Sequence, residues 1–287
     1  MLTFTAEQIA EIERRARNIR RNVIRMIAAA GSGHPAGSLS IVDVLACLYF
    51  GIMHYDPHNP NDPNRDLLVL SNGHVCPALY ATMAEAGIIP ESELLTLRQF
   101  GSRLQGHPER TKLPGLETTS GPLGEGLSQA AGMAYAMKYL MPANSRRVYC
   151  IISDGELNEG SIWEAAMFAG KYRLDNLTII VDVNGIQLSG ATRDVMPTTR
   201  RAAALSGMRL NVYHAFQGND VTELLQVIAE SLTAPTNHLF RSDAPDVILA
   251  RTTPGKGVSF MENDYHWHGQ APSPDEAKRA LAELEDK

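Results

Sequence analysis

The sequence predicts an α/β fold with a mostly parallel central sheet and helices on both of its faces. Its second half alternates short apolar runs with helical patterns, an order typical of parallel sheets. The apolar runs are continuous rather than alternating, which is typical of strands buried on both faces. Of the 287 residues, 44% are hydrophobic and 20% are charged, enough to bury a sizeable core. Because no repeat or convincing linker is visible, we expect one domain over residues 1–287.

The helices are predicted from apolar periodicity and from their capping residues. Thr5 and Gln8 form a capping box ahead of the first apolar stripe. Ser273 begins the last helix, with Pro274 at its first position and Glu276 completing a second capping box. Helices are predicted from the first box to a breaker at residue 31, from residue 273 onward, and over residues 40–53, 74–87, 91–100, 127–140, 162–172 and 221–232.

Short apolar runs bounded by turn residues predict the strands. They cover residues 66–71, 148–153, 177–182, 211–216 and 247–251. Residues 101–126 are rich in glycine and proline and carry little periodicity. A loop of that length inside a compact domain is usually functional.

Composition and charge exclude several classes of function. The net charge is −6, from 26 basic and 32 acidic residues, and no basic stretch indicates nucleic-acid binding. Neither a signal peptide nor an apolar run of membrane-spanning length is visible, so we expect a cytoplasmic protein without membrane contact. Cys47, Cys76 and Cys150 are far apart in apolar stretches, which favours buried thiols over a disulfide framework or a zinc site.

Polar residues follow two of the predicted strands. Asp154 and Gly155 come after one strand, and Asn184 comes after the next strand along the chain. Ligands of parallel α/β sheets bind beyond the carboxyl ends of the strands. Asp154 and Asn184 would offer hard oxygen ligands to Mg²⁺ or Ca²⁺, and Gly155 would let a phosphate approach the backbone. Each residue alone is more often a simple turn residue, but the two in this order favour a site.

The spacing of these residues resembles the thiamine diphosphate motif, which begins Gly-Asp-Gly and ends about thirty residues later in Asn. This chain has Ser153-Asp154-Gly155, with Asn184 thirty positions after Asp154, and Ser replaces the first Gly. The resemblance implies that Asp154, Asn184 and the backbone carbonyl of Ile186 hold the cation. It also places Gly155 and Glu156 at the cofactor.

Further segments resemble transketolases in particular, over essentially the whole chain and in the family order. They are Gly33–Gly37 (GHPAG), Ser71–His74 (SNGH), Gly106–Glu109 (GHPE), Gly121–Gly126 (GPLGEG), Gly255–Asn263 (GKGVSFMEN) and Trp267–Gly269 (WHG). The chain is therefore similar to the N-terminal half of transketolase. This resemblance implies that its single domain is the diphosphate-binding one and that thiamine diphosphate is the cofactor.

Four of the nine histidines lie beside Gly or Pro in predicted loops, namely His34, His74, His107 and His268. A single loop histidine is more often structural, but loops on a rigid sheet are where sites gather. The resemblance implies that His74 and His268 reach toward the diphosphate. It implies that His34, His107 and His268 bind the donor sugar or move protons, work that suits a group titrating near neutral pH.

The resemblance also assigns the glycine-rich loop before the helix at 127–140. It implies backbone contacts from Gly121 and Leu123 to the cofactor. Glu159 matches an acidic residue at the family's subunit contact, near the glutamate that activates the cofactor. Equally, Glu159 could be a solvated residue at a helix start, where its charge stabilises the helix dipole.

The parts that the resemblance assigns to a second domain are absent from these 287 residues. In the family, that domain supplies the glutamate that activates the cofactor and the basic residues that bind the sugar phosphate. We therefore expect a C-terminal transketolase subunit carrying the pyrimidine-binding domain as partner, in an α2β2 heterotetramer. The chain reads as a natural subunit of a split enzyme or as a fragment, and its capped, charged final helix favours the subunit.

The expected reaction is transfer of a two-carbon ketol unit from a ketose phosphate to an aldose phosphate, in pentose phosphate metabolism or on a specialised sugar. Two alternatives stay open. One is a subunit of another split thiamine enzyme, similar to the alpha subunit of a 2-oxo acid dehydrogenase or to deoxyxylulose-phosphate synthase. The other is a non-catalytic subunit that binds and regulates a partner. The histidine set argues against the dehydrogenase and, with Asp154 and Asn184, against the non-catalytic protein.

Overall fold

The computed structural model describes residues 2–141, 146–198, 200–233 and 243–285. The strands of this part are β1 (Leu67–Leu70), β2 (Val148–Ser153), β3 (Leu177–Asp182), β4 (Ile186–Gln187), β5 (Gly190–Ala191), β6 (Asn211–Ala215) and β7 (Asp246–Ala250). Five of them form one sheet in the order β1-β2-β3-β7-β6, and all its neighbours pair in parallel. The short β4 and β5 form a separate antiparallel pair. The predicted α/β fold with a mostly parallel sheet is confirmed.

The continuous apolar runs are explained by two cores, one on each face of the sheet. Along β2, Tyr149 and Ile151 belong to one core, whereas Cys150 and Ile152 belong to the other. Successive side chains of a strand point to opposite faces, so a strand covered on both faces must be apolar throughout. Helices therefore cover both faces, as the sequence predicts.

The described helices are α1 (Ala6–Ala30), α2 (Pro35–Ser40), α3 (Val42–Cys47), α4 (Cys76–Glu85), α5 (Glu125–Tyr135), α6 (Gly160–Lys171), α7 (Thr192–Val195), α8 (Arg201–Gly207), α9 (Val221–Thr233) and α10 (Pro274–Glu285). The predicted capping box begins α1, where Thr5 and Gln8 bond each other's backbone N–H. Around α1 pack α3, α4 and α10, while α5 and α6 pack together on the other face.

Three local predictions need correction. The predicted helix 40–53 is divided into α2, α3 and a π-helical turn at Leu48–Ile52, because Ile41 leaves the helical conformation. The predicted helix 91–100 is a 3₁₀ helix at Glu91–Thr96, which ends because Leu97 is extended and Arg98 has a left-handed φ of 60°. The pair β4–β5 is missed because two-residue strands carry no periodicity.

The structure also shows the state of the cysteines and the apolar character of the helices. Cys47, Cys76 and Cys150 are buried free thiols, as predicted. Among the helices of the described residues, none combines the length and the apolar character needed to cross a bilayer.

Candidate functional site

The two predicted metal ligands meet at the carboxyl edge of the sheet. Strands β2 and β3 pair in register up to Ser153 and Asp182, so the residues after them emerge side by side. The backbone N–H of Gly185 donates to Asp154 Oδ2 at 3.1 Å, which places Asp154 directly against the turn that carries Asn184. The structure therefore brings together two groups that lie thirty positions apart in the sequence.

Asp154 is a buried carboxylate with one unused oxygen. The residue is only 1% exposed, and Oδ1 accepts no well-formed hydrogen bond from any residue that the structure describes. Burial raises the pKa of Asp154 to about 7, and the nearby carboxylate of Asp182 adds to this rise, against the opposing charge of Arg201. A buried carboxylate in this state is costly unless a proton or a cation occupies it. Its surroundings therefore suit a cation ligand.

Asn184 is held in place by a second carboxylate. Asn184 Nδ2 donates to Asp182 Oδ2 at 2.8 Å, and the N–H of Ile186 donates to Asn184 Oδ1 at 3.1 Å. Asp182 also accepts hydrogen bonds from Ser40 Oγ, at 2.7 Å, and from Thr252 Oγ1. Ile186, whose carbonyl is the predicted third ligand, begins β4 two residues after Asn184.

Glu156 is turned into the protein. One carboxylate oxygen accepts from Ser71 Oγ and from the N–H of Gly124 at 2.8 Å, and the other accepts from the N–H of Ser153 at 2.8 Å. The side chain thus ties together the end of β1, the glycine-rich loop and the end of β2. Any contact of Glu156 with a cofactor has to come from its backbone, as for Gly155.

The loop before α5 is pressed against the end of β1. A Cβ on Gly126 would lie 2.5 Å from the Cβ of Ser71, which is too close for any side chain. Gly124 has a φ of 84°, and a Cβ there would lie 2.7 Å from the Cβ of Glu159. Glycine is therefore required at both positions. Glu159 itself is exposed, and its side chain makes no capping bond to α6.

Three of the four predicted histidines form a compact group. Ring centroids are 5.0 Å apart for His34 and His74, 5.2 Å for His74 and His268, and 5.7 Å for His34 and His268. His34 precedes α2, His74 lies in the 3₁₀ turn Gly73–Val75 after β1, and His268 lies in the turn Tyr265–His268. Residues far apart in the sequence thus converge beside the same sheet edge.

His107 is exposed and lies at the rim of this edge. Its Cγ would be 3.9 Å from a Cβ on Gly121, so it neighbours the predicted cofactor loop. Leu123 of the same loop is 41% exposed, an unusual state for a leucine beside a buried helix start. Its apolar surface is therefore free to contact a bound molecule.

The histidines are neutral at physiological pH. Burial and the other imidazoles lower the pKa of His74 to about 3, and burial, His268, Arg98 and His107 lower the pKa of His34 to about 4. Burial also lowers the pKa of His107, with a contribution from Arg98, and burial lowers the pKa of His268. Neutral imidazoles both donate and accept hydrogen bonds, which suits binding of hydroxyls and movement of protons.

Sequence reasoning missed several polar residues at this edge. Asp182 has a recognisable signal, because a charged residue ends an otherwise apolar strand. Others carry buried atoms that no hydrogen bond satisfies within the described residues: Ser38 Oγ, Asn72 Nδ2 and Oδ1, Ser120 Oγ and Gln187 Nε2, besides Nδ1 of His34 and of His268. Buried polar groups of this kind are normally paired, so they indicate the place of a polar ligand.

A comparison with protein families places the chain. Residues 12–284 match the family described as "Transketolase, thiamine diphosphate binding domain". The chain belongs to the transketolase family. It is the N-terminal, thiamine diphosphate-binding part of a transketolase, as the sequence predicts.

Relatives of two lengths match this transketolase chain. It is 40% identical over 278 residues to an apulose-4-phosphate transketolase subunit of Actinobacillus succinogenes, covering 96% of this chain and 97% of that protein. It is 39% identical over 280 residues to 6-deoxy-6-sulfo-D-fructose transketolase subunit SqwG of a Clostridium species, covering 98% of each. Human transketolase is 37% identical over 282 residues, and there the match covers only 42% of the protein.

Solved transketolases share the fold. The structure of transketolase from Leishmania mexicana superposes with a TM-score of 0.88 at 31% identity, covering 96% of this chain and 41% of that one. Where the transketolase chain has Ser153 in place of the first motif glycine, the structure shows no positive φ at that residue. A side chain is therefore tolerated there. The cofactor and substrate contacts assigned to individual residues stay predictions.

Proposed function

We propose that this chain is the diphosphate-binding subunit of a two-subunit transketolase, which transfers a two-carbon ketol unit from a ketose phosphate to an aldose phosphate. One observation carries the proposal: the buried, unpaired oxygen of Asp154 and the cluster of neutral histidines lie at the same edge of the sheet. The 40% identity to the apulose-4-phosphate transketolase subunit, matched over nearly its whole length, supports it.

The chemistry of the site fits a cation and a diphosphate. Asp154 Oδ1 accepts no well-formed hydrogen bond from the described residues. A cation beside this atom would neutralise the buried carboxylate. Asp154, Asn184 and the Ile186 carbonyl would supply three oxygens, which leaves positions for diphosphate oxygens on Mg²⁺, or on Ca²⁺, which takes more ligands. Carboxylate, amide and carbonyl oxygens of this kind suit these hard cations rather than a softer metal.

The chain's own residues would bind and orient the cofactor. Gly155 and the backbone of Gly121 and Leu123 would border the diphosphate arm, while Leu123 offers apolar surface to a ring. When bound there, thiamine diphosphate would supply the nucleophilic carbon that the ketol transfer needs. His74 and His268 would donate to diphosphate oxygens as neutral imidazoles.

The other proposed histidine contacts are with the substrate. His34, His107 and His268 would hydrogen-bond the hydroxyls of the donor sugar and accept or return protons at them. Because the pKa values of all three are lowered, each imidazole is uncharged at neutral pH, and its ring can both donate a hydrogen bond to a hydroxyl and accept one from it. His107 is exposed at the rim, where an incoming sugar would meet it first.

An exposed apolar patch supports the need for a partner chain. The π-helical turn after α5 (Ala136–Leu140), the residue that follows it and the second half of α6 expose large apolar side chains beside a cluster of tyrosine rings. They are Tyr139 (46% exposed), Leu140 (71%), Met141 (54%), Met167 (52%) and Phe168 (37%). Exposed apolar patches of this kind mark interfaces. The patch lies toward the carboxyl ends of α5 and α6, whose amino-terminal ends border Gly124 and Glu159 at the site. We assign the patch to an interface with a C-terminal transketolase subunit in an α2β2 assembly.

The names of the relatives do not identify the sugar substrate of this chain. One acts, by its name, on apulose 4-phosphate and another on 6-deoxy-6-sulfo-D-fructose. Their similar identities to this chain, 40% and 39%, do not favour either substrate.

A reconstitution assay tests the proposal. The chain is assayed alone and then with a co-encoded C-terminal subunit, with thiamine diphosphate, Mg²⁺ and ketose and aldose phosphate pairs. We expect ketol transfer only when both chains are present. Turnover by the chain alone would refute the two-subunit proposal. Turnover that survives Asp154→Ala, or chelation of the metal, would refute the cation site.

A further inference from the structure

Asp182 is a buried carboxylate at the sheet edge, and the cofactor contacts proposed above do not use it. It ends β3, is 1% exposed, and accepts hydrogen bonds from three elements of the fold. These come from Ser40 Oγ on α2 (2.7 Å), Thr252 Oγ1 after β7, and Asn184 Nδ2 (2.8 Å). Three donors therefore converge on one side chain.

The bond to Asn184 decides which amide atom faces a ligand. A carboxylate can only accept hydrogen bonds, so the amide nitrogen of Asn184 must be the atom against Asp182. The amide oxygen then points away from Asp182, where the N–H of Ile186 also donates to it at 3.1 Å. The amide is thus held at both ends, and its oxygen keeps a lone pair for another partner.

Stability alone does not account for a carboxylate at this position. A buried carboxylate costs free energy, and apolar side chains of similar size usually stabilise a core more. No described Arg, Lys or His forms an ion pair with Asp182; its partners there are neutral donors. A divalent cation on the neighbouring Asp154 and Asn184 would provide the missing positive charge.

We propose that Asp182 is a positioning residue for cation binding, which fixes the amide of Asn184 with its oxygen toward the metal. This inference rests on the proposed cation site. Through Ser40 and Thr252, Asp182 also locks α2 and the end of β7 to that site. Outer residues that orient metal ligands typically contribute 10–100-fold to metal affinity.

A variant at position 182 tests the orientation directly. Asp182→Asn keeps the size of the side chain but can also donate, so Asn184 loses one of the two contacts that fix its amide and keeps only the bond from the N–H of Ile186. We expect Mg²⁺ affinity at saturating thiamine diphosphate to fall by roughly 10–100-fold. The readout is a Mg²⁺ titration of the full chain by thermal midpoint, repeated with Mn²⁺ by electron paramagnetic resonance.

A charge-swapped variant separates positioning from a general structural role. In Asp182→Asn/Asn184→Asp, the carboxylate at 184 has oxygens on both sides and needs no orientation, while the amide at 182 donates to it. We expect this double variant to regain metal affinity to within a few-fold of the wild type. Asn184→Asp alone sets two carboxylates face to face and should not.

The matched control is Asp246, a second buried carboxylate, at the opposite end of the same sheet. It begins β7, is 4% exposed, and accepts from Asn211 Nδ2 at 3.0 Å. Asp246→Asn should leave metal affinity unchanged. Equal losses in the Asp182 and Asp246 variants, or no recovery in the charge-swapped variant, would overturn the positioning role.

The cation site itself is checked in the same titration. Asp154→Asn must lose metal binding. If it does and Asp182→Asn binds like the wild type, the positioning role fails alone. If Asp154→Asn still binds, or the wild type binds no metal, the proposed cation site fails and the positioning role fails with it.

Discussion

Replacing Asp154 by asparagine should make the ligand-free chain more stable at pH 8 and abolish its stabilisation by Mg²⁺. Asparagine has nearly the same shape and can still accept the hydrogen bond from Gly185. It removes a negative charge that is buried beside a second carboxylate, Asp182. The substitution therefore removes a destabilising buried charge from the ligand-free protein. It also removes the carboxylate that we propose binds the cation.

The size of the effect follows from the pKa of Asp154. Folding raises it from 3.8 to about 7. Each unit corresponds to about 1.4 kcal/mol, so ionised Asp154 destabilises the ligand-free fold by up to about 4 kcal/mol. For a chain of this length, roughly 2 °C of thermal midpoint accompanies each kcal/mol, which gives a gain of up to about 8 °C.

The sign of the pH dependence is fixed by the direction of the shift. Below pH 3.8, Asp154 is protonated in both the folded and unfolded states and costs nothing. Between pH 3.8 and about 7, unfolding releases a proton, so the wild type loses stability as pH rises. The advantage of Asp154→Asn should therefore be small near pH 4.5, grow toward pH 7 and level off above it.

The assay is chemical denaturation of both proteins with EDTA from pH 4.5 to 8.5, and then with Mg²⁺ and thiamine diphosphate at pH 8. Ligands at about 100 times their dissociation constant should stabilise the wild type by about 2.7 kcal/mol and leave the variant unchanged. A difference between the two proteins that does not change with pH would refute the assignment of the buried charge. A variant less stable than the wild type at pH 8 in EDTA would do the same.

Other predictions concern the histidines and the loop. His107→Ala should slow ketol transfer much more than it weakens cofactor binding, measured in the reconstituted enzyme; unchanged turnover would make His107 structural. His74→Gln should reduce acid sensitivity. Folding lowers the pKa of His74 from 6.5 to about 3, so the free energy of unfolding of the wild type falls by about 1 kcal/mol between pH 6.5 and 5.5, a loss that the variant avoids, measured by denaturation. Gly126→Ala should cost about 1–3 kcal/mol by overpacking against Ser71, whereas Gly132→Ala in the same helix meets nothing within 4 Å and should stabilise by up to about 1 kcal/mol in thermal melts.

The fold was predictable because its strands carry a strong signal. Runs such as those of β2 and β3 are apolar at nearly every position, and the structure explains this by a core on each face of the sheet. The 3₁₀ helix at Glu91–Thr96 was not predictable from apolar spacing. Its end depends on the left-handed Arg98, whose guanidinium reaches the carbonyl of Gly106 across the loop. Long-range contacts of that kind leave no local pattern.

The site was predictable where a residue type carries its own chemistry. Asp154 and Asn184 could be found because polar residues follow apolar strands at the ligand-binding edge of a parallel sheet. The role of Glu156 could not be read in the same way, since only the structure shows its carboxylate bonded to Ser71 and Ser153. Asp182 was the last residue of a predicted strand, so no role in a site was assigned to it from the sequence.

Several buried polar groups at the carboxyl edge of the sheet destabilise the ligand-free chain. Asp154 and Asp182 are buried carboxylates with raised pKa values, and Asn72 buries an amide that no described residue pairs. Neutral histidines nearby cannot offset that charge. A dication with a diphosphate would bring both a positive charge and many acceptor oxygens to the same place. The chain should therefore be most stable when it holds both the cation and the cofactor.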